Sequence, residues 1–182
     1  MRSPQYALVV YVNSPVAAFV EGMRRDFHPS QAHLPAHISV LPPRGLQGTE
    51  SEALDILEGV CRTVDPFEIV LGEVATFMPV TPTVFLRVAH AAYRMRELHD
   101  RVNVGTLQAE EQWPYMPHLT IFRMDTIEQT VPALAEARRL WDRYRESRRV
   151  VIDQLTFVRE AGANSWVDLA PIPLGRRLAP TH

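Results

Sequence analysis

The sequence predicts an α+β fold of duplicated, bilobal form: two antiparallel-rich sheets flanked by helices, with pseudo-two-fold symmetry about a central cleft. Three observations predict it. First, two apolar strand-like segments, Pro35-Ala36-His37-Ile38-Ser39-Val40 and Met116-Pro117-His118-Leu119-Thr120-Ile121, each carry a histidine two residues before a hydroxyl. Second, the order helix, strand, helix, strand, strand recurs around each of them, as an internal duplication would leave it. Third, the registers agree, with 30 residues from His37 to Phe67 against 32 from His118 to Val150, and 49 from His37 to Leu86 and from His118 to Val167. At 182 residues one core is economical, so residues 1–182 are expected to form a single domain of two interleaved lobes.

The elements follow in order. Tyr6 to Val12 reads as a strand from its β-branched and aromatic content, and Ser14 to Phe27 as a helix with an apolar stripe, capped by Asn13 or Ser14. A loop from His28 to Pro35 leads into the first histidine strand, which Leu41-Pro42-Pro43-Arg44-Gly45 is expected to close, because a double proline removes ladder donors. Glu52 to Val64 has helical apolar spacing, with Thr49 or Ser51 as its cap. Phe67 to Phe77 and Thr83 to Ala89 form a strand pair joined around Pro79 and Pro82. The second half supplies a helix over Ala91 to Val104, the second histidine strand, a helix over Ile127 to Tyr144, and strands near Val150 to Arg159 and Ser165 to Leu169.

Composition narrows the function classes. The apolar share of 46% and charged share of 22% are those of an ordinary soluble protein. A single cysteine, Cys61, offers no intramolecular disulfide, so a reducing cytoplasmic location is expected. The apolar run after Tyr6 ends by Val12, too short for a bilayer, so no membrane association is expected. A net charge of −2 removes the general attraction that drives binding to long duplex nucleic acid and points to a small or end-recognised substrate. All 19 basic residues are arginine, which reads as genome composition. The six arginines of Arg138 to Arg149 alternate with acids at spacings such as Arg138 to Asp142, the pattern of a solvated, salt-bridged helix face.

The histidine pairs carry the chemistry. Side chains at i and i+2 of a strand share a face, so His37 with Ser39 and His118 with Thr120 point one way while Ile38, Val40, Leu119 and Ile121 face the core. Composition alone yields about one His-x-Ser/Thr match in such a chain. His28-Pro29-Ser30 is one, set in a loop and set aside. The other two gain weight from their equivalent places in the repeat. Two imidazoles can act as acid and base at neutral pH, and two hydroxyls can hold phosphate oxygens, which is the set that opening a phosphate diester needs. The sequence is symmetric between them; we expect His118 as base and His37 as acid.

Arg44 and Arg123 follow the two motifs closely and could bind phosphate bidentately. Tyr115 and Trp113 could stack a base or pack on the sheet, packing being the expectation. His33, His90 and His99 lack a partner pattern and are read as structural, and no HExxH or cysteine cluster suggests a metal.

With these residues the chain resembles the 2H phosphoesterase superfamily, which has two His-x-Ser/Thr-x motifs in duplicated lobes. The resemblance covers most of the chain, resting on His37-Ile38-Ser39-Val40, His118-Leu119-Thr120-Ile121 and the element order around them. It implies a bilobal fold with both motifs on a central cleft, catalysis without metal or other cofactor, His37 and His118 as the catalytic pair, and Ser39 and Thr120 as phosphate-binding hydroxyls. Members include 2'-5' RNA ligase-like proteins and RNA or nucleotide 2',3'-cyclic phosphodiesterases. A nucleotide or RNA-end substrate and a monomeric state are therefore expected. Two rival readings are a nucleotide- or RNA-end-binding module without efficient turnover, and a 2'-5' RNA ligase.

Overall fold

The periodicities that mark strands and helices in the sequence recur as eight strands and four α-helices in a computed structural model, which describes residues 2–175. In chain order they are β1 (Tyr6–Tyr11), α1 (Pro15–Phe27), β2 (His37–Arg44), α2 (Glu50–Cys61), β3 (Phe67–Thr76), β4 (Thr83–His90), α3 (Ala92–Val102), β5 (His118–Arg123), α4 (Ile127–Arg143), β6 (Arg149–Ile152), β7 (Gln154–Gly162) and β8 (Ser165–Pro173). The expected strand from Val150 to Arg159 is thus two strands separated at Asp153.

The helix starts follow capping chemistry. Thr49 and Glu52 form a reciprocal capping box at the head of α2, the Thr49 hydroxyl accepting from Glu52 N and the Glu52 carboxylate from Thr49 N. Thr126 caps α4 by accepting from Gln129 N at 3.2 Å. Ser14 occupies the cap position of α1, but its hydroxyl makes no cap bond and is buried without a partner. Proline at the first position, which needs no donor, starts that helix. Along α4 the expected Arg138–Asp142 pair is replaced by an ion pair of Arg139 with Glu136, while Arg148 lies 4.2 Å over the Trp141 ring.

The strands form one sheet in the order β6-β3-β4-β5-β2-β1-β7-β8, with every neighbouring pair antiparallel. The two sheets expected from the sequence are therefore joined, and a single residue pair, Ile38 with Leu119, joins them. The two hairpins cross between the halves of the chain. The β3-β4 hairpin packs on β5, whereas the β7-β8 hairpin reaches back to β1, and β1 pairs with β2.

Both motif strands bulge at the same point. Opposite β1 the register jumps between Leu8–Leu41 and Val9–Ser39, leaving Val40 extra; opposite β4 it jumps between Val84–Phe122 and Phe85–Thr120, leaving Ile121 extra. Such a residue bends its strand and raises the local twist. It also explains the shared burial pattern, in which Val40 and Leu41, like Ile121 and Phe122, are consecutive buried residues. The strand β2 then runs on through Pro42 and Pro43 to Arg44, beyond its expected end. A second register shift, between Leu8–Leu41 and Tyr6–Arg44, accommodates the prolines where no regular ladder is required.

All four helices share one core with one face of the sheet. Val16, Val20 and Met23 of α1, Leu57 of α2, Leu98 of α3 and Trp141 of α4 belong to a single buried cluster with Ile38, Val40, Leu119 and Ile121, and these last four are 0% exposed as the alternation requires. The opposite face holds a small apolar cluster of Ala7, Val9 and Val158, against which Tyr11 and Trp166 pack, and the stacked pair Phe77 and Phe85. That second face carries the histidines.

Candidate active site

The pair Ile38–Leu119 fixes how the motifs meet. Continuing its antiparallel register by one residue each way sets His37 opposite Thr120 and His118 opposite Ser39, all four on the face away from the core. Each imidazole therefore lies across from the other motif's hydroxyl. All four residues are half-buried.

The rings are held alike. His37 Nδ1 lies 2.8 Å from Pro35 O, and His118 Nδ1 lies 2.8 Å from Met116 O. A carbonyl only accepts, so Nδ1 carries the proton in both rings and Nε2 is left with a lone pair. Burial pushes both imidazoles below the usual histidine range, against the pull of these carbonyl bonds; the Arg24 and His118 charges push His37 further down. Phe77 and Phe85 wall in His118, with ring centroids at 5.1 and 5.2 Å in edge-on contact, and stack on each other at 4.2 Å. Tyr11 lies directly across β1 from His37 and donates to Asp168 Oδ1 at 2.5 Å. Arg87 lies directly across β4 from His118, its Nε 3.0 Å from Glu73 Oε1.

The depressed imidazoles make stability depend on pH. Unfolded histidine binds a proton near pH 6.5, whereas these two in the folded chain hold out to lower pH, so between the two values the unfolded state binds more protons. The stability is full above about pH 6.5 and is lost as pH falls through the folded values, at no more than about 1.4 kcal/mol per pH unit per group. Urea midpoints measured from pH 7.5 down to 5 are expected to fall, and to fall less steeply in His37→Gln. Equal slopes in wild type and variant would refute this.

The other sequence candidates divide. Arg123 is exposed at the end of β5, its backbone N and O both bonded by the Gln31 side chain. Arg44 is drawn away from the histidine face into the interior. It donates to Pro42 O, Asn103 Oδ1, Leu107 O and Glu111 Oε2 at 2.6–3.0 Å, so its expected phosphate-binding fork is already engaged. Tyr115 donates to Ser39 O at 2.8 Å, and its ring is stacked on His99 at 4.2 Å, so it packs as expected, as a strut behind the motif, and its ring is not free to stack a base. His99 itself lies between Asp100 and Glu111, in the structural role read for it. Trp113, expected to pack, is 61% exposed.

Sequence reasoning missed Arg24. Its guanidinium is 3% exposed, and it donates to Ile121 O at 2.7 Å, Thr120 O at 2.8 Å and Leu34 O at 2.6 Å. The signal was present, since an arginine at position 24 continues the Val16 and Val20 stripe of α1 at intervals of four. The carbonyls of Ser39 and Thr120 are thus bound from behind by Tyr115 and Arg24, while their side chains stay half-exposed on the other face. Among the described residues no group of three or more His, Cys, Asp or Glu has the geometry of a metal site, and no helix is long and apolar enough to cross a membrane.

The single antiparallel sheet brings the two His-x-Ser/Thr strands together at its centre, as the resemblance to the two-histidine phosphoesterases implies. Residues 12–164 match the family model described as the 2'-5' RNA ligase superfamily, and the chain belongs to that family. It is 21% identical over 173 residues to a Halalkalibacterium halodurans protein named "Putative phosphoesterase", covering 94% of this chain and 98% of the relative. A protein of the same name from Oceanobacillus iheyensis is 24% identical over 118 residues, 64% of this chain and 69% of the relative. Among solved structures, the fold is similar to a phosphoesterase (TM-score 0.64, 11% identity, 96% of this chain and 100% of that one). It is also similar to E. coli LigT with phosphate (TM-score 0.62, 13% identity, 96% and 100%) and with 3'-AMP (TM-score 0.60, 13% identity, 94% and 99%).

Proposed function

We propose that this phosphoesterase-family protein is a metal-independent phosphodiesterase that opens a 2',3'-cyclic phosphate, or a related cyclic or 2'-5' linked nucleotide or RNA end, between His37 and His118. The observation that carries the reading is the pair of Nε2 atoms, each left free by an Nδ1–carbonyl bond and each set across from the other motif's hydroxyl. The base acts through its Nε2 lone pair and the acid, as imidazolium, through a proton on Nε2. In-line displacement at phosphorus needs a base for the incoming water and an acid for the departing sugar oxygen, on opposite sides of the phosphate. Two histidines separated by a strand pair supply both. Ser39 and Thr120 would hold the non-bridging oxygens. Arg123 and Arg87 are the arginines near enough in register to contact the phosphate or a neighbouring one.

Burial disfavours a proton on both rings, with the Arg24 and His118 charges adding to it at His37. His118 as base and His37 as acid, the assignment expected from sequence, is tested by the position of the phosphate on the product. That LigT was crystallised with phosphate and with 3'-AMP supports a nucleotide-sized ligand for this fold.

The test is a product-resolved screen of 2',3'-cyclic nucleotides, ADP-ribose cyclic phosphate and short 2'-5' and 3'-5' RNAs with EDTA present. Hydrolysis of a cyclic phosphate to one phosphate isomer, unaffected by EDTA, is expected. Binding without product on prolonged incubation, or activity lost on chelation, would overturn the reading.

A further inference from the structure

We propose that Arg24 is a positioning residue for this site: it takes the place of the missing ladder between the two histidine strands and sets a positive charge behind the phosphate they would hold. The proposal rests on the reading of the cleft as a phosphodiester site. It starts from how little the central strands touch. Between β2 and β5 the ladder is one residue pair long, Ile38 with Leu119, and each strand then bends at its bulge. Carbonyls just beyond that pair would be left without donors, at a cost that buried backbone does not tolerate.

Arg24 meets this need from α1. The bulge at Ile121 breaks the alternation of carbonyl directions along β5, and Arg24 takes both Thr120 O and Ile121 O, while its third bond, to Leu34 O, anchors the segment that leads into β2. One helical turn earlier, Glu21 Oε1 accepts from Ala36 N at 3.4 Å. A single face of α1 thus clasps both sides of the gap. At the opposite end of the Ile38–Leu119 pair, the Tyr115 hydroxyl does the same for Ser39 O.

The choice of arginine for this task has an electrostatic meaning. Three backbone carbonyls take one hydrogen bond from each guanidinium nitrogen but leave its charge intact, and Arg24 forms no ion pair among the described residues; Glu21 acts on it only at a distance. Burying an unneutralised cation is unfavourable, and a neutral side chain could donate to the same carbonyls without that desolvation. The charge becomes favourable when an anion sits in front of it, as a phosphate between His37 and Thr120 would. The charged and titratable groups facing His37 are Arg24 and Glu21 on α1, His118 on β5, and Tyr11 on β1 with Asp168 behind its hydroxyl. Of these Arg24 is the fixed positive one.

The test follows His37 and His118 by NMR titration in the full-length protein, with inorganic phosphate binding measured alongside; neither needs turnover, so failure of the hydrolase reading would be seen separately. In Arg24→Gln, His37 is expected to titrate about half a pH unit or more higher, and phosphate to bind roughly 10-fold more weakly. Arg24→Lys, which keeps the charge, is expected to retain both values near wild type. Glu21→Gln leaves the arginine in place and keeps the test decisive even where Arg24→Gln fails to fold; it is expected to move both in the opposite direction, lowering His37 and tightening phosphate. Unchanged His37 titration and phosphate affinity in Glu21→Gln, or equal losses in Arg24→Lys and Arg24→Gln at similar thermal stability, would reduce Arg24 to a structural strut and overturn the proposal.

Discussion

Replacing His37 or His118 by alanine is expected to lower kcat on a 2',3'-cyclic nucleotide by about 10²- to 10⁴-fold, with the fold retained. The large effect on rate comes from losing a group that moves a proton in the transition state. The small effect on stability comes from position: both residues are half-buried on the face away from the core, and each gives up one side-chain bond, to Pro35 O or Met116 O, worth about 1 kcal/mol. The double variant is expected to be little worse than the more damaged single one, because base and acid serve one displacement and act as a unit. Steady-state kinetics with a thermal melt on each variant decides the matter. Turnover within about 10-fold of wild type in both single variants would sink the two-histidine mechanism.

The largest expected effect on stability comes from Phe85→Ala, at about 3–5 kcal/mol in urea unfolding. Phe85 is 1% exposed, stacks on Phe77 at 4.2 Å and contacts the His118 ring. Truncating it leaves a cavity that the paired strands β3 and β4 cannot readily close, since Ala75 and Phe85 are held in register. Activity is expected to fall as well, because one of the two walls that orient His118 is gone. A loss below about 1 kcal/mol would mean that Phe77 collapses into the space and that the wall is redundant.

What the sequence made legible follows from short-range rules. The two histidine strands, the four helices and the cap at Thr49 all rest on spacing within a few residues, and they stand where expected, to within a few residues at their ends. That His37 shares a face with Ser39, and His118 with Thr120, follows from strand alternation, whereas the joining of the two pairs on one face needs the Ile38–Leu119 contact. What escaped the sequence depends on contacts between distant segments. Nothing local tells that Arg44 meets Glu111 and Asn103, which engage its guanidinium, or that the Tyr115 ring lies against His99 and sends its hydroxyl to Ser39 O. The continuation of β2 through two prolines escaped because a bulge was not foreseen. Arg24 escaped for a different reason: a charged residue on an apolar stripe looks like noise until its three carbonyl partners are seen.

The crossing of the two hairpins bears on how the chain reaches this state. Tyr6 pairs with Arg159, and Glu50 near the middle of the first half bonds both Tyr6 and Arg159. Neither histidine strand can complete its surroundings from its own half. The wall beside His118 comes from residues synthesised before it, and the β7-β8 hairpin that extends the sheet beyond β1 on the His37 side is synthesised more than a hundred residues after β2. Pairings of such long separation must meet the entropy of closing large loops before they are rewarded, which slows folding. They also interleave the halves that the sequence repeat suggests, since β5 takes β4 and β2 as its neighbours and β1 takes β7.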